Sequence, residues 1–159
     1  MAERWYQKLT NVLGHELSSR QPVILYASHA ALRATTAVPG EISEGSGGIA
    51  KLPRRKIVMP LAGPLSETNR VLGHELVHVF QFDIAADAAL GSEREGSMMS
   101  LPLWFLEGMA EYLLQGAPDP VTAMWMRDAV ARGAMPSIRE LNKPRCFPYR
   151  YGRGPALAP

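Results

Sequence analysis

The chain has 159 residues, 47% of them apolar, which is enough for one globular domain with a core and too little for two comfortable ones. Seventeen lysines and arginines nearly cancel fifteen aspartates and glutamates, so a general nucleic-acid footprint is not expected. The one cysteine, Cys146, excludes an internal disulfide and a cysteine-rich metal site.

No apolar run approaches the roughly eighteen residues that a membrane span needs. The start, Met1-Ala2-Glu3-Arg4-Trp5-Tyr6, lacks the apolar core of a signal peptide, so the chain as written reads as unexported. Arg139, Lys143, Arg145, Arg150 and Arg153 make the last stretch locally basic, which reads as a solvated tail.

Trp5, Leu9, Val12, Leu13 and Leu17 recur at helical spacing and predict an amphipathic helix over 5–17. Residues 22–27 form a β-rich run, read as a buried strand. Gly40, Gly45, Gly47 and Gly48 follow Pro39 and mark a loop or an irregular edge. Residues 56–61 read as a second strand, with Pro60 making it an edge or a strand end. Ser66-Glu67-Thr68-Asn69 carries helix-start chemistry, and Val71, Leu72, Leu76, Val79 and Phe80 give the following helix, about 67–89, a broad apolar face. Residues 91–100 read as a loop. Pro102 opens a third helix over 103–115, stopped by Gly116-Ala117-Pro118. A fourth runs from about 121 to 132, and the proline-bearing tail beyond it is left open. A few strands followed mostly by helices predict an α+β domain.

Val12-Leu13-Gly14-His15-Glu16-Leu17 recurs as Val71-Leu72-Gly73-His74-Glu75-Leu76. The flanks do not match, so the repeat reads as coincidence. Ser19 also stands where the first copy would need a second histidine.

His74-Glu75-Leu76-Val77-His78 is an H-E-x-x-H pattern. Residues i and i+4 share one helix face with about 6 Å between them, so two imidazoles can converge on one zinc. Glu75 is turned by roughly 100° from His74, beside the metal and able to take a proton from the attacking water. Three fixed residues match by chance in roughly one chain of this length in two hundred, so context has to support the pattern. Here no proline or glycine lies between the histidines. Zinc needs a third protein ligand. His15 and His29 are the only other histidines, and neither sits in a motif. Glu107 and Glu111 are stronger candidates, since two carboxylates one turn apart in an apolar helix need compensation.

With those residues in view, the chain resembles the gluzincin metallopeptidases, the class of thermolysin and of certain zinc aminopeptidases. In that class a second helix brings a glutamate ligand, often within Trp-x-x-Glu-Gly-x-Ala, which Trp104, Glu107, Gly108 and Ala110 match. The resemblance implies that His74, His78 and Glu107 bind Zn2+. It also implies that Glu75 is the base and that Glu111 orients a histidine ligand, His74.

The implied fold is zincin-like, a small, mostly antiparallel sheet packed on the active-site helix with a helical part following. Residues 21–152 resemble more narrowly the peptidase-MA-like domain that precedes Tol-type β-propellers in exported proteins. The supporting pieces are Pro22 to Tyr26, Arg55 to Pro60, Pro102-Leu103-Trp104, Arg127-Asp128-Ala129 and Tyr151-Gly152. Against that family the ending Pro155-Ala156-Leu157-Ala158-Pro159 reads as truncated, and a propeller and an export signal are expected in a full-length form.

By the same resemblance Gly47, Gly48, Ile49 and Ala50 hold an extended peptide by strand addition, and Tyr151 or Tyr149 stabilises the oxyanion. The expected reaction is hydrolysis of a peptide bond in a peptide or protein substrate. Two alternatives remain: a metal-binding assembly module with little catalysis, and a helical domain without metal.

Overall fold

A computed structural model describes residues 1–34, 49–51, 56–61, 63–90, 101–116 and 119–143. They belong to two compact units, 1–91 and 92–159. Cys146, Tyr149 and Tyr151 lie outside the described residues, as do Gly47, Gly48 and the expected loop 91–100.

The first unit opens with α1, Ala2–Leu13. The helix starts earlier than the periodicity predicts and stops four residues short of Leu17. Gly14 takes φ = 61°, the left-handed conformation that ends helices and costs glycine no Cβ clash. After it come β1 (Val23–Tyr26), α2 (His29–Arg33), β2 (Ile49–Lys51), β3 (Lys56–Pro60) and the long α3 (Leu65–Leu90).

The sheet order is β1-β3-β2. β1 and β3 run parallel, from Val23 opposite Ile57 to Tyr26 opposite Pro60. β2 pairs antiparallel to β3, from Ile49 opposite Val58 to Lys51 opposite Lys56. The expected mostly antiparallel sheet is therefore corrected: the sheet is small and mixed, its longer pairing is parallel, and the described residues are mostly helical. The broad α+β description holds. Side-chain alternation marks a strand and leaves its direction open. Direction follows from the connection, and a parallel pair needs a crossover. The short α2, absent from the sequence reading, lies in that crossover. Ser28 starts it, its Oγ accepting from the Ala31 N–H at 3.1 Å.

β3 is the central strand, with Ile57, Val58 and Met59 buried. Pro60 is its last residue, so the strand-end alternative is the one found, and the next N–H, of Leu61, donates to Tyr26 O at 2.6 Å. The expectation of a buried strand at 22–27 is also corrected. β1 is an edge strand whose Val23 and Leu25 are exposed, while Ile24 and Tyr26 pack on Leu32 and Val58.

Helix α3 extends two residues before and one beyond the expected 67–89. It buries Val71, Leu72, Leu76, Val77, Val79 and Phe80. Against α1, the Trp5 indole N–H donates to Asn69 O at 3.1 Å and shares Asn69 Oδ1 at 3.2 Å. This seats the indole on Gly73, where an added Cβ would stand 2.6 Å from Trp5 Cε2.

Gly73→Ala therefore sets two effects against each other. Helix propensity favours alanine by about 1 kcal/mol. Overpacking against a hydrogen-bonded ring costs about 1–3 kcal/mol. We expect a lower melting temperature in the otherwise native chain and a higher one when Trp5→Ala is also present. Thermal unfolding of the single and double variants checks this, and stabilisation by Gly73→Ala alone would contradict the packing described.

In the second unit α4 spans Leu103–Gln115, the bounds the sequence predicts, after Pro102 and before Gly116 at φ = 71°. α5, Pro120–Ala131, starts on Asp119, whose carboxylate accepts from the Thr122 N–H. α6, Ile138–Leu141, lies in the stretch the sequence reading leaves open. Its signal is legible in retrospect: Ser137 and Glu140 form a capping box. The backbone N–H of Ser137, and then its hydroxyl, hold the Glu140 carboxyl below the usual range. The Trp104 indole N–H donates to Asn142 Oδ1 at 2.7 Å, tying α4 to the end of α6.

Candidate metal centre

Helix α3 puts His74 and His78 on one face, both half-buried. Their Nε2 atoms are 3.1 Å apart, and the rings meet edge-on at 81°. Two nitrogens at 2.0–2.1 Å on a tetrahedral zinc stand about 3.3 Å apart, so the pair fits a shared cation with an opening of a few tenths of an ångström. Glu75 is 7% exposed on the same turn. Val77, Val79 and Phe80 of the same helix are buried.

His78 Nδ1 lies 2.8 Å from Gln81 Oε1, one turn further along α3. An amide oxygen only accepts, so Nδ1 carries the hydrogen and donates it. Nε2 of His78 then offers a lone pair, and the hydrogen in the Nε2–Nε2 contact belongs to His74. A metal ion would take the position of that single proton. The His78 ring also stacks on Phe82, with centroids 6.3 Å apart. Gln81 is a residue that the sequence reading passes over. Its signal is the i,i+3 spacing from His78, which puts both side chains on neighbouring positions of one face.

Asp83 is 2% exposed and fully engaged. It accepts from Ser18 N at 2.8 Å, Ser18 Oγ at 2.7 Å and His15 Nε2 at 2.9 Å. His15, Asp83 and Asp87 have ligand atoms within 4.8 Å of one another. The donors on Asp83 belong to the chain itself, so the cluster works as a clamp holding residues 15–18 on α3. His15 thus has a role that its place in the repeated hexapeptide does not disclose. Its partner is 68 residues away, and no local pattern points to it.

In the second unit α4 carries Glu107, half-buried, and Glu111, 6% exposed. Glu111 Oε2 accepts from Gln115 Nε2, again one turn on. Gly108 and Ala110 are buried between them in sequence. Of the expected peptide-holding residues, Ile49 and Ala50 begin β2, opposite Val58 and Ile57. Among the described residues β2 pairs with β3 alone. No described helix is long and apolar enough to cross a membrane.

No family model, curated protein or solved structure matches the chain.

Proposed function

We propose that the chain is a zinc metallopeptidase domain of the gluzincin type, with His74, His78 and Glu107 as ligands and Glu75 as general base. The observation that carries the reading is the pair of Nε2 atoms 3.1 Å apart on α3, with a carboxylate at the next residue. Glu107 enters through the Trp104-Glu107-Gly108-Ala110 pattern.

Bound zinc supplies an acidified water and a polarised scissile carbonyl. Glu75 takes the proton of the attacking water and hands it to the leaving amine. Glu111, whose carboxylate accepts from Gln115, is the proposed orienting group for His74. An extended peptide lies along β2 at Ile49 and Ala50, where the edge of a sheet accepts another strand, with Gly47 and Gly48 leading into it. Tyr151 is the proposed oxyanion donor.

Zinc content and peptide hydrolysis measured on the same preparation test the reading. About one zinc per chain together with hydrolysis is expected. Zinc without hydrolysis favours an assembly module, a reading that the low exposure of Glu75 supports, since water must reach a working base. Absence of zinc refutes both.

The two carboxylates of α4 are separable. Glu107→Gln removes a ligand charge and should weaken zinc binding severely. Glu111→Gln removes an orienting group and should weaken it by about 10–100-fold. Competition with a chelator ranks the two. The reverse order would make Glu111 the ligand and shift the register by one turn. A silent Glu111→Gln would leave Glu111 a helix carboxylate held by Gln115.

A further inference from the structure

We infer that Gln81 is a positioning residue for the metal centre: its amide oxygen fixes the Nδ1–H tautomer and the ring plane of His78, leaving Nε2 as the ligand atom. The inference deepens the zinc reading and rests on it for its consequence, though the tautomer itself is a property of the metal-free chain.

Three observations carry it. The contact from His78 Nδ1 to Gln81 Oε1 is 2.8 Å, a full hydrogen bond. Gln81 is 1% exposed, so water does not compete for that oxygen. Both residues lie on α3 at i,i+3, so the contact forms with the helix and is present before any ligand arrives. A neutral imidazole binds a cation only through the nitrogen that lacks a hydrogen, and in water the Nε2–H form is the favoured one. Without an acceptor at Nδ1, His78 would present the wrong nitrogen for most of the time, and its ring would be free to turn. The buried amide oxygen at 81 is thus placed to serve the imidazole.

The test uses the full chain labelled with ¹⁵N and free of metal, at about pH 8, where imidazoles are neutral. Long-range proton–nitrogen correlation reads the tautomer of each histidine. In the native chain His78 should be the Nδ1–H form. In Gln81→Leu, which fills the space and removes the acceptor, it should move towards the Nε2–H form, and zinc affinity by chelator competition should fall about 10–100-fold. Gln81→Glu keeps an acceptor oxygen at nearly the same reach and should retain both the tautomer and the affinity within a few-fold. Gln81→Met replaces the leucine variant if the branched side chain is not accommodated, with the same expected loss.

An unchanged His78 tautomer in Gln81→Leu overturns the inference, as does equal loss of affinity in Gln81→Leu and Gln81→Glu. Absence of zinc from the native chain, together with the tautomer shift in Gln81→Leu, refutes the metal reading and upholds the role of Gln81 on His78.

Discussion

Glu75→Gln is expected to bind zinc as the native chain does and to hydrolyse peptides about 10²–10⁴-fold more slowly. The substitution keeps the length and shape of the side chain and removes its basicity. Shape matters because Glu75 is 7% exposed, with the buried Val71 and Leu72 before it and the buried Leu76, Val77 and Val79 after it in the sequence of α3. A smaller residue would open a gap next to the histidines and blur the result. The amide cannot accept the proton of the attacking water, nor return one to the leaving amine. The loss should therefore appear in kcat, with KM nearly unchanged, because an interaction made only in the transition state has gone. Metal content and steady-state hydrolysis on paired preparations decide the matter. Native turnover in Glu75→Gln would place the chemistry elsewhere, and loss of zinc would make Glu75 a ligand.

His74→Ala and His78→Ala should each lose stoichiometric zinc, a larger effect than the about 10–100-fold loss expected of an orienting group. One imidazole cannot reproduce a pair whose Nε2 atoms stand 3.1 Å apart. The two variants should differ in one respect. His78 donates to the oxygen of Gln81, which is 1% exposed, so His78→Ala also takes a donor from a buried acceptor. Such a loss costs about 1–3 kcal/mol. The metal-free His78→Ala protein should accordingly melt lower than the native one. Zinc by metal analysis and thermal unfolding without metal read the two effects separately. Full zinc in either variant would end the ligand assignment.

The legible parts of the sequence are those governed by short-range geometry. The i,i+4 spacing of His74 and His78 shares one helix face wherever the helix sits, α3 follows from its recurring apolar residues, and α4 from an apolar stretch bounded by Pro102 and Gly116. The Gln81 contact was within reach by the same rule, as was the capping box of α6 at Ser137 and Glu140. The apolar periodicity through Leu17 carries the predicted helix past Gly14. In the chain, the left-handed φ of Gly14 won, because a helix ends where the backbone turns, whatever apolar residue comes next.

Other features were decided only by tertiary structure. β1 and β3 read as strands from their composition, but their parallel pairing depends on the crossover through α2, and burial of β3 rather than β1 depends on which strand takes the centre of the sheet. Gly73 is required by an indole 68 residues earlier, and Asp83 is saturated by His15 and Ser18 from beyond α1. The physical reason is the same in each case. Helix spacing is set by neighbouring backbone dihedrals, whereas strand direction, close approach and the partner of a buried charge are set by which distant segments share one space. No local pattern of residues records that choice.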